Sequence, residues 1–174
     1  RPTLLTGLPD LACEELRRRL TPEGIEVHSV PTDTPMPEKH RFLVGSQKVM
    51  KLNQLEPFVL DAHRQDALID AASRLARPRA GAAPFAAAIV ADFGNGLLTP
   101  AVLSRLLSVL RPQVPFLSGD VSGRRGSLLS LHGLDLLCPS EVEAREALHL
   151  YDESIPGVAW ELLSRTSGAQ VLLT

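Results

Sequence analysis

Three observations predict an α/β fold built on a mostly parallel sheet. The apolar run from Phe85 to Ala91 ends in an acidic glycine turn, Asp92-Phe93-Gly94-Asn95-Gly96. An amphipathic helix follows directly, its start marked by Thr99 as N-cap and Pro100 at the first helical position. Near the start of the chain a strand, a helix and a second strand alternate in the same way between Thr3 and Val30. A run without polar residues predicts a central strand covered on both faces. Val102, Leu103, Leu106, Leu107 and Leu110 give the helix one apolar face to lay on the sheet. Ligands of open α/β sheets bind beyond the carboxyl ends of the strands, so Asp92 and its glycines occupy the expected place for chemistry.

The other elements follow in order. Thr3 to Thr6 reads as a short strand ended by Gly7, and Asp10 caps a helix whose inner face is Ala12, Cys13, Leu16 and Leu20. Arg17-Arg18-Arg19 falls in its last turn, where cations oppose the negative end of the helix dipole. Pro22 and Gly24 lead to a strand from Ile25 to Val30. Pro31 to Pro37 holds three prolines and reads as a connector. Residues 41–44 and 48–52 form an antiparallel hairpin around Gly45-Ser46-Gln47, with charged ends that suit an edge or lid. Asp61 starts a helix with Leu68, Ala71, Ala72 and Leu75 inward, and 77–84 is a surface connection. Val114 to Ser118 is a strand weakened by Pro115, followed by a glycine-spaced loop from Gly119 to Gly126. Leu134 to Cys138 is a further strand, and Pro139-Ser140 opens the next helix. A last helix begins at Ser154 and is ended by Gly168 at C′, after which Ala169 to Thr174 starts a strand. The final apolar residues read as the opening of a buried strand in a fold that continues further.

Bulk properties narrow the function. A chain of 174 residues, 44% hydrophobic, buries roughly 70% of its unfolded surface as one domain. A net charge of -2 with no run of five like charges argues against a nucleic-acid or anionic-lipid surface. Neither a leader pattern nor a run of ~20 apolar residues is present, and a cytoplasmic setting is predicted. Cys13 and Cys138 read as small buried hydrophobes in a reducing compartment. The five histidines lack zinc-site spacing, and neither a Walker A loop, a G-x-G-x-x-G nor a G-x-S-x-G occurs. Trp160 and Tyr151 give no stacking platform for bases.

Lys39-His40-Arg41 before the hairpin, Gln47 and Lys48 within it, Ala91 to Thr99, Asp120-Val121-Ser122-Gly123 and Cys138-Pro139-Ser140-Glu141-Val142-Glu143 occur in that order. The series resembles the middle of a PfkB, or ribokinase-like, carbohydrate kinase, nearest the heptose-phosphate kinase domain of ADP-heptose synthesis. The resemblance covers nearly the whole chain. It implies a Rossmann-like α/β/α sandwich with a small β-hairpin lid at about 39–53, 1–174 being a partial core cut at both ends. It also implies phosphoryl transfer from ATP, with Mg, to a hydroxyl of a sugar or sugar phosphate, and pairing of two copies through the lid. Lys39, Arg41 and Asp92 would then meet the substrate, Asp120, Ser140 and Glu143 the nucleotide, and Glu143 the metal.

Departures from the family pattern matter as much. Asn95 and Ser122 stand where relatives carry lysine, and Ser140 where they carry asparagine. Two cations are thus lost at an anionic site, which should weaken binding or rate. The family's Gly-Ala-Gly-Asp segment, source of its general base, would lie past Thr174, and its Gly-Gly sugar segment before Arg1. On that reading the chain alone is a poor catalyst or none. Each assignment has a simpler competitor: Ser140 and Glu143 also form a capping box, Asp92 also suits turn amides, and Lys39 and Arg41 also suit a solvated edge. Arg124 and Arg125 either hold a phosphate or face water. The alternative functions are a non-catalytic scaffold or regulatory relative, and a nucleotide-sugar-binding domain.

Overall fold

The computed structural model describes all residues except 55, 59, 79–82 and 123–126. The chain divides into two compact units, Arg1–Leu68 and Ile69–Thr174.

The first unit opens with β1 (Thr3–Leu8), α1 (Asp10–Leu20) and β2 (Glu26–Pro31), the strands pairing in parallel. Leu8, Cys13 and Val27 form its small core, with Ala12, Leu16 and Leu20 packed against them as the helical spacing predicted. Asp10 does not cap α1: Pro9 holds the N-cap position without a side-chain bond, and Asp10 is the first helical residue. A proline suits the extended backbone there and excludes the cap oxygen. The antiparallel hairpin of β3 (Glu38–Val44) and β4 (Gln47–Gln54) is longer than predicted and exposed along its whole length. Its turn is Gly45-Ser46, with Gly45 at φ 60, so Gln47 belongs to β4. α2 (Ala62–Ala76) runs across the division between the units. Its first turn is held by Asp61, whose Oδ1 accepts from the Arg64 amide at 2.7 Å. Leu68, Ile69, Ala72 and Ala76 are its buried residues, shifting the inner face slightly from the predicted one.

The second unit is a parallel sheet, β5 (Ala88–Asp92), β6 (Leu117–Val121) and β7 (Leu136–Leu137), with the strands side by side in that order. Beyond β7 the last residues continue the ladder: Leu172 and Thr174 donate to the carbonyls of Leu137 and Pro139, and Leu137 donates to Gln170. α3 (Pro100–Leu110) buries all five predicted apolar residues. A 3-10 turn, Leu128–Ser130, not foreseen in the sequence, packs against α3, α4 (Glu141–Leu148) and α5 (Ile155–Thr166).

Three expectations are corrected here. β5 is covered on one face only: Val90 and Asp92 are buried, whereas Ala91 is exposed and Ile89 is 74% exposed. Four of the seven residues in the predicted run are alanines, and so small an apolar area makes exposure cheap, so the absence of polar residues was a weak sign of burial. Gly119, Asp120 and Val121 lie in β6 instead of in a loop. A Cβ on Gly119 would meet Leu134 Cδ1 at 2.6 Å and Leu131 Cδ1 at 2.7 Å, so this glycine serves close packing. At the end of α5 the left-handed position belongs to Ser167, at φ 51, and not to Gly168. Gly168 instead lets the chain pass near Leu163 and Leu137.

The amino edge of the sheet is closed by an ion pair. Asp135 accepts from Arg111 through both carboxylate oxygens, at 2.5 and 3.1 Å, and from the Leu117 amide at 2.7 Å. The Arg111 guanidinium, and next the Leu117 amide, hold the Asp135 carboxyl below the usual carboxylate range.

Candidate functional site

The carboxyl edge of the same sheet carries three of the residues singled out from the sequence, Asp92, Asp120 and Ser140. Asp92 ends β5 and pairs with Val121, while Asp120 on β6 pairs with Ala91. The Cys138 amide donates to the Gly119 carbonyl, and Ser140 follows two residues on, at the start of α4. Asp92, Asp120 and Ser140 therefore share one edge of one unit. They do not share one face. Alternation along paired parallel strands puts Asp92 with Val121 on the buried side and Asp120 with Ala91 on the exposed side.

Asp92 is 5% exposed. Its Oδ1 accepts from the Gly94 amide at 2.9 Å and its Oδ2 from the Ser127 amide at 3.0 Å. Gly94 and Gly96, at φ 69 and 92, turn the chain sharply after the strand, and only glycine adopts such angles at little cost. Ser127 Oγ donates to the Leu98 carbonyl at 3.2 Å, next to Thr99, whose Oγ1 caps α3 by accepting from Val102. Ser127 was not foreseen: it lies 35 residues from Asp92, and a lone loop serine carries no signal.

Ser140 and Glu143 form the capping box that their spacing predicted. Ser140 Oγ accepts from the Glu143 amide at 3.3 Å, while Glu143 Oε2 accepts from the Ser140 amide at 2.9 Å and its hydroxyl at 2.7 Å. These local bonds account for both residue types. In the same helix Arg145 pairs with Glu141 and donates to the carbonyls of Leu150, Tyr151 and Glu153. That cation is committed to joining α4 to the segment leading into α5.

Lys39 and Arg41 lie on β3 in the other unit. Arg41 stands directly across from Lys51, and Lys39 across from Asn53, so these four project from one face of the hairpin. Phe42, Met50 and Leu52 project from the other. Lys51 was also missed. A register shift between Phe42 and Leu43 pairs Arg41 with Lys51 instead of Met50, and counting back from the turn does not reveal it. Arg124 and Arg125 lie outside the described residues.

Asp120 and Glu143 supply carboxylate oxygens, and magnesium takes one or two of these together with substrate phosphates. Among the described residues no three His, Cys, Asp or Glu gather closely enough to hold a metal by themselves. Asn95 and Ser122, both half-buried, add neutral polar groups where a phosphate would favour cations.

The parallel sheet with its acidic and serine-bearing turns on the carboxyl edge has the α/β fold of the PfkB, or ribokinase-like, carbohydrate kinases. Solved structures agree. Phosphofructokinase-2 from Escherichia coli in complex with potassium superposes with a TM-score of 0.72 at 14% identity, over 98% of this chain and 54% of that one. Ribokinase from Giardia lamblia gives 0.64 at 12% identity, over 99% and 52%. Among curated proteins, the bifunctional protein HldE of Wolinella succinogenes is 28% identical over 160 residues, 90% of this chain and 32% of that protein. The chain thus spans about a third of that relative's length and about half of the two solved kinases. No family model matches it.

Proposed function

We propose that the chain carries the nucleotide-facing part of a PfkB-type carbohydrate kinase, transferring a phosphoryl group from ATP to a hydroxyl of a sugar phosphate, with a heptose phosphate as the preferred class. The observation that carries this reading is the shared carboxyl edge of β5, β6 and β7, with Asp120 and the Ser140–Glu143 pair at the ends of neighbouring strands. The sequence resemblance and the likeness to HldE support the heptose phosphate.

When bound, Mg·ATP supplies the transferable phosphoryl group and the charge that offsets its oxygens. In this reading Asp120 and Glu143 orient the metal, Ser140 adds a hydroxyl to the nucleotide side, and Lys39 and Arg41 hold the phosphate of the sugar. Lys51 joins that pair. Its position opposite Arg41 puts like charges side by side, a cost that an anion between them offsets. Asp92, with both oxygens bound to backbone amides, positions the edge instead of touching substrate. The apolar hairpin face of Phe42, Met50 and Leu52 suits pairing of two copies through the lid. A cytoplasmic setting agrees with this chemistry, and no described helix is long and apolar enough to cross a membrane.

The test is ADP release by the full-length protein with Mg·ATP and a panel of sugar phosphates. Release with a heptose phosphate supports the proposal, and release only with an unphosphorylated sugar overturns the assignment of Lys39, Arg41 and Lys51. The second reading, a non-catalytic relative, is favoured by the missing lysines at Asn95 and Ser122. Mg·ATP binding without turnover of any sugar would establish it.

A further inference from the structure

Asp92 has a second relation to the loop that leaves β6. The ladder between β5 and β6 ends where the Ser122 amide donates to the Asp92 main-chain carbonyl at 2.7 Å. The Ser127 amide donates to the Asp92 carboxylate. The other carboxylate oxygen holds Gly94, in the turn after β5. One residue therefore binds three amides, and Ser127 extends the tie through its hydroxyl to Leu98, just ahead of the α3 cap. No lysine or arginine among the described residues pairs with this carboxylate, so its acceptor capacity goes to backbone donors.

We infer that Asp92 is a positioning residue that pins the exits of β5 and β6 to each other, fixing the spacing of Asn95, Asp120 and Ser122 around a bound Mg·nucleotide. The inference rests on the phosphoryl-transfer reading for its ligand, and on geometry alone for the clamp. A carboxylate is needed because both acceptors face N–H donors. An amide side chain at the same place offers one acceptor and turns its NH2 against the remaining donor. Interactions that do not touch ligand still set affinity when they hold the contacting groups in place.

The experiment compares the full-length protein with Asp92→Asn by amide hydrogen exchange in NMR and by Mg·ATP titration. Exchange at Gly94 or Ser127 should quicken by about tenfold on loss of a hydrogen bond. The Ser122 amide, bound to main chain, should keep its protection and serves as the internal control. The Mg·ATP dissociation constant should rise by about tenfold, within the range known for residues that act on a site without contacting its ligand. Ser127→Ala keeps the amide bond to Asp92 and removes only the hydroxyl bond to Leu98, so its affinity should stay closer to that of the unaltered protein. Unchanged exchange at Gly94 and Ser127 would overturn the clamp, and quickened exchange with unchanged affinity would overturn its role in positioning. Absence of Mg·ATP binding by the unaltered protein would instead overturn the phosphoryl-transfer reading and the ligand part of this inference, leaving exchange to decide the clamp. Global loss of protection, Ser122 included, would also count against a local role.

Discussion

The two edges of the β5–β6–β7 sheet each hold an aspartate, and they use it differently. At the amino edge Asp135 meets a full cation, Arg111, as well as the Leu117 amide, and its side chain stays 25% exposed. At the carboxyl edge Asp92 is more deeply buried and, among the described residues, meets backbone amides alone. The first arrangement cancels charge and locks a helix end to a strand start. The second draws two loops together through their amides. On the proposed function, the loop-bearing carboxyl edge is the one that meets the nucleotide, and the locked amino edge is not.

The largest effect should come from loosening both edges at once through the strand between them. Gly119→Ala drives a methyl into Leu134 and Leu131 and should cost about 1–3 kcal/mol in urea unfolding. Combined with Leu134→Ala, its added cost should shrink, because the truncated side chain vacates the space; strict additivity would mean the clash is not with Leu134. Asp92→Ala should follow at about 1–3 kcal/mol, because it leaves two amides without acceptors in a buried place. Ser140→Ala should lower stability by about 1 kcal/mol through loss of the cap. If it also weakens Mg·ATP binding beyond what unfolding explains, the serine contacts the nucleotide as well.

The edges should also separate by pH and salt. Asp135 is held below its usual range in the fold, so its contribution is complete above the ordinary aspartate value, about pH 4. It is lost as pH falls from there through the lowered folded value. Melting temperatures measured across that window should fall less steeply in Asp135→Asn; equal slopes would show that the pair adds no linked stability. High salt should weaken the Arg111–Asp135 pair while leaving the amide contacts of Asp92 intact, the smallest effect of the set.

What could be read from the chain were bonds that close within a few residues. Thr99 caps α3, Ser140 and Glu143 box the start of α4, and Ser154 caps α5 by accepting from Gly157, each from a contact three residues long. The spacing of Val102, Leu103, Leu106, Leu107 and Leu110 likewise determined which face of α3 is buried. Asp92 and Ser140 could be placed on one edge because the first ends a parallel strand and the second follows one, whereas Asp120, read as a loop residue, lies one position inside the end of β6.

Tertiary structure alone decided the rest. The partner of Asp92 lies 35 residues away and that of Asp135 up to 24 residues away, so neither pairing exists until strand register brings distant loops together. One irregularity in the hairpin decided that Arg41 faces Lys51, since a single-residue shift changes every cross-strand partner. Exposure of Ile89 depended on which elements cover β5, which its alanine-rich composition does not encode. Local hydrogen bonds and helical periodicity are properties of neighbouring residues and were legible in order along the chain; the partners of a buried carboxylate are a property of the assembled sheet.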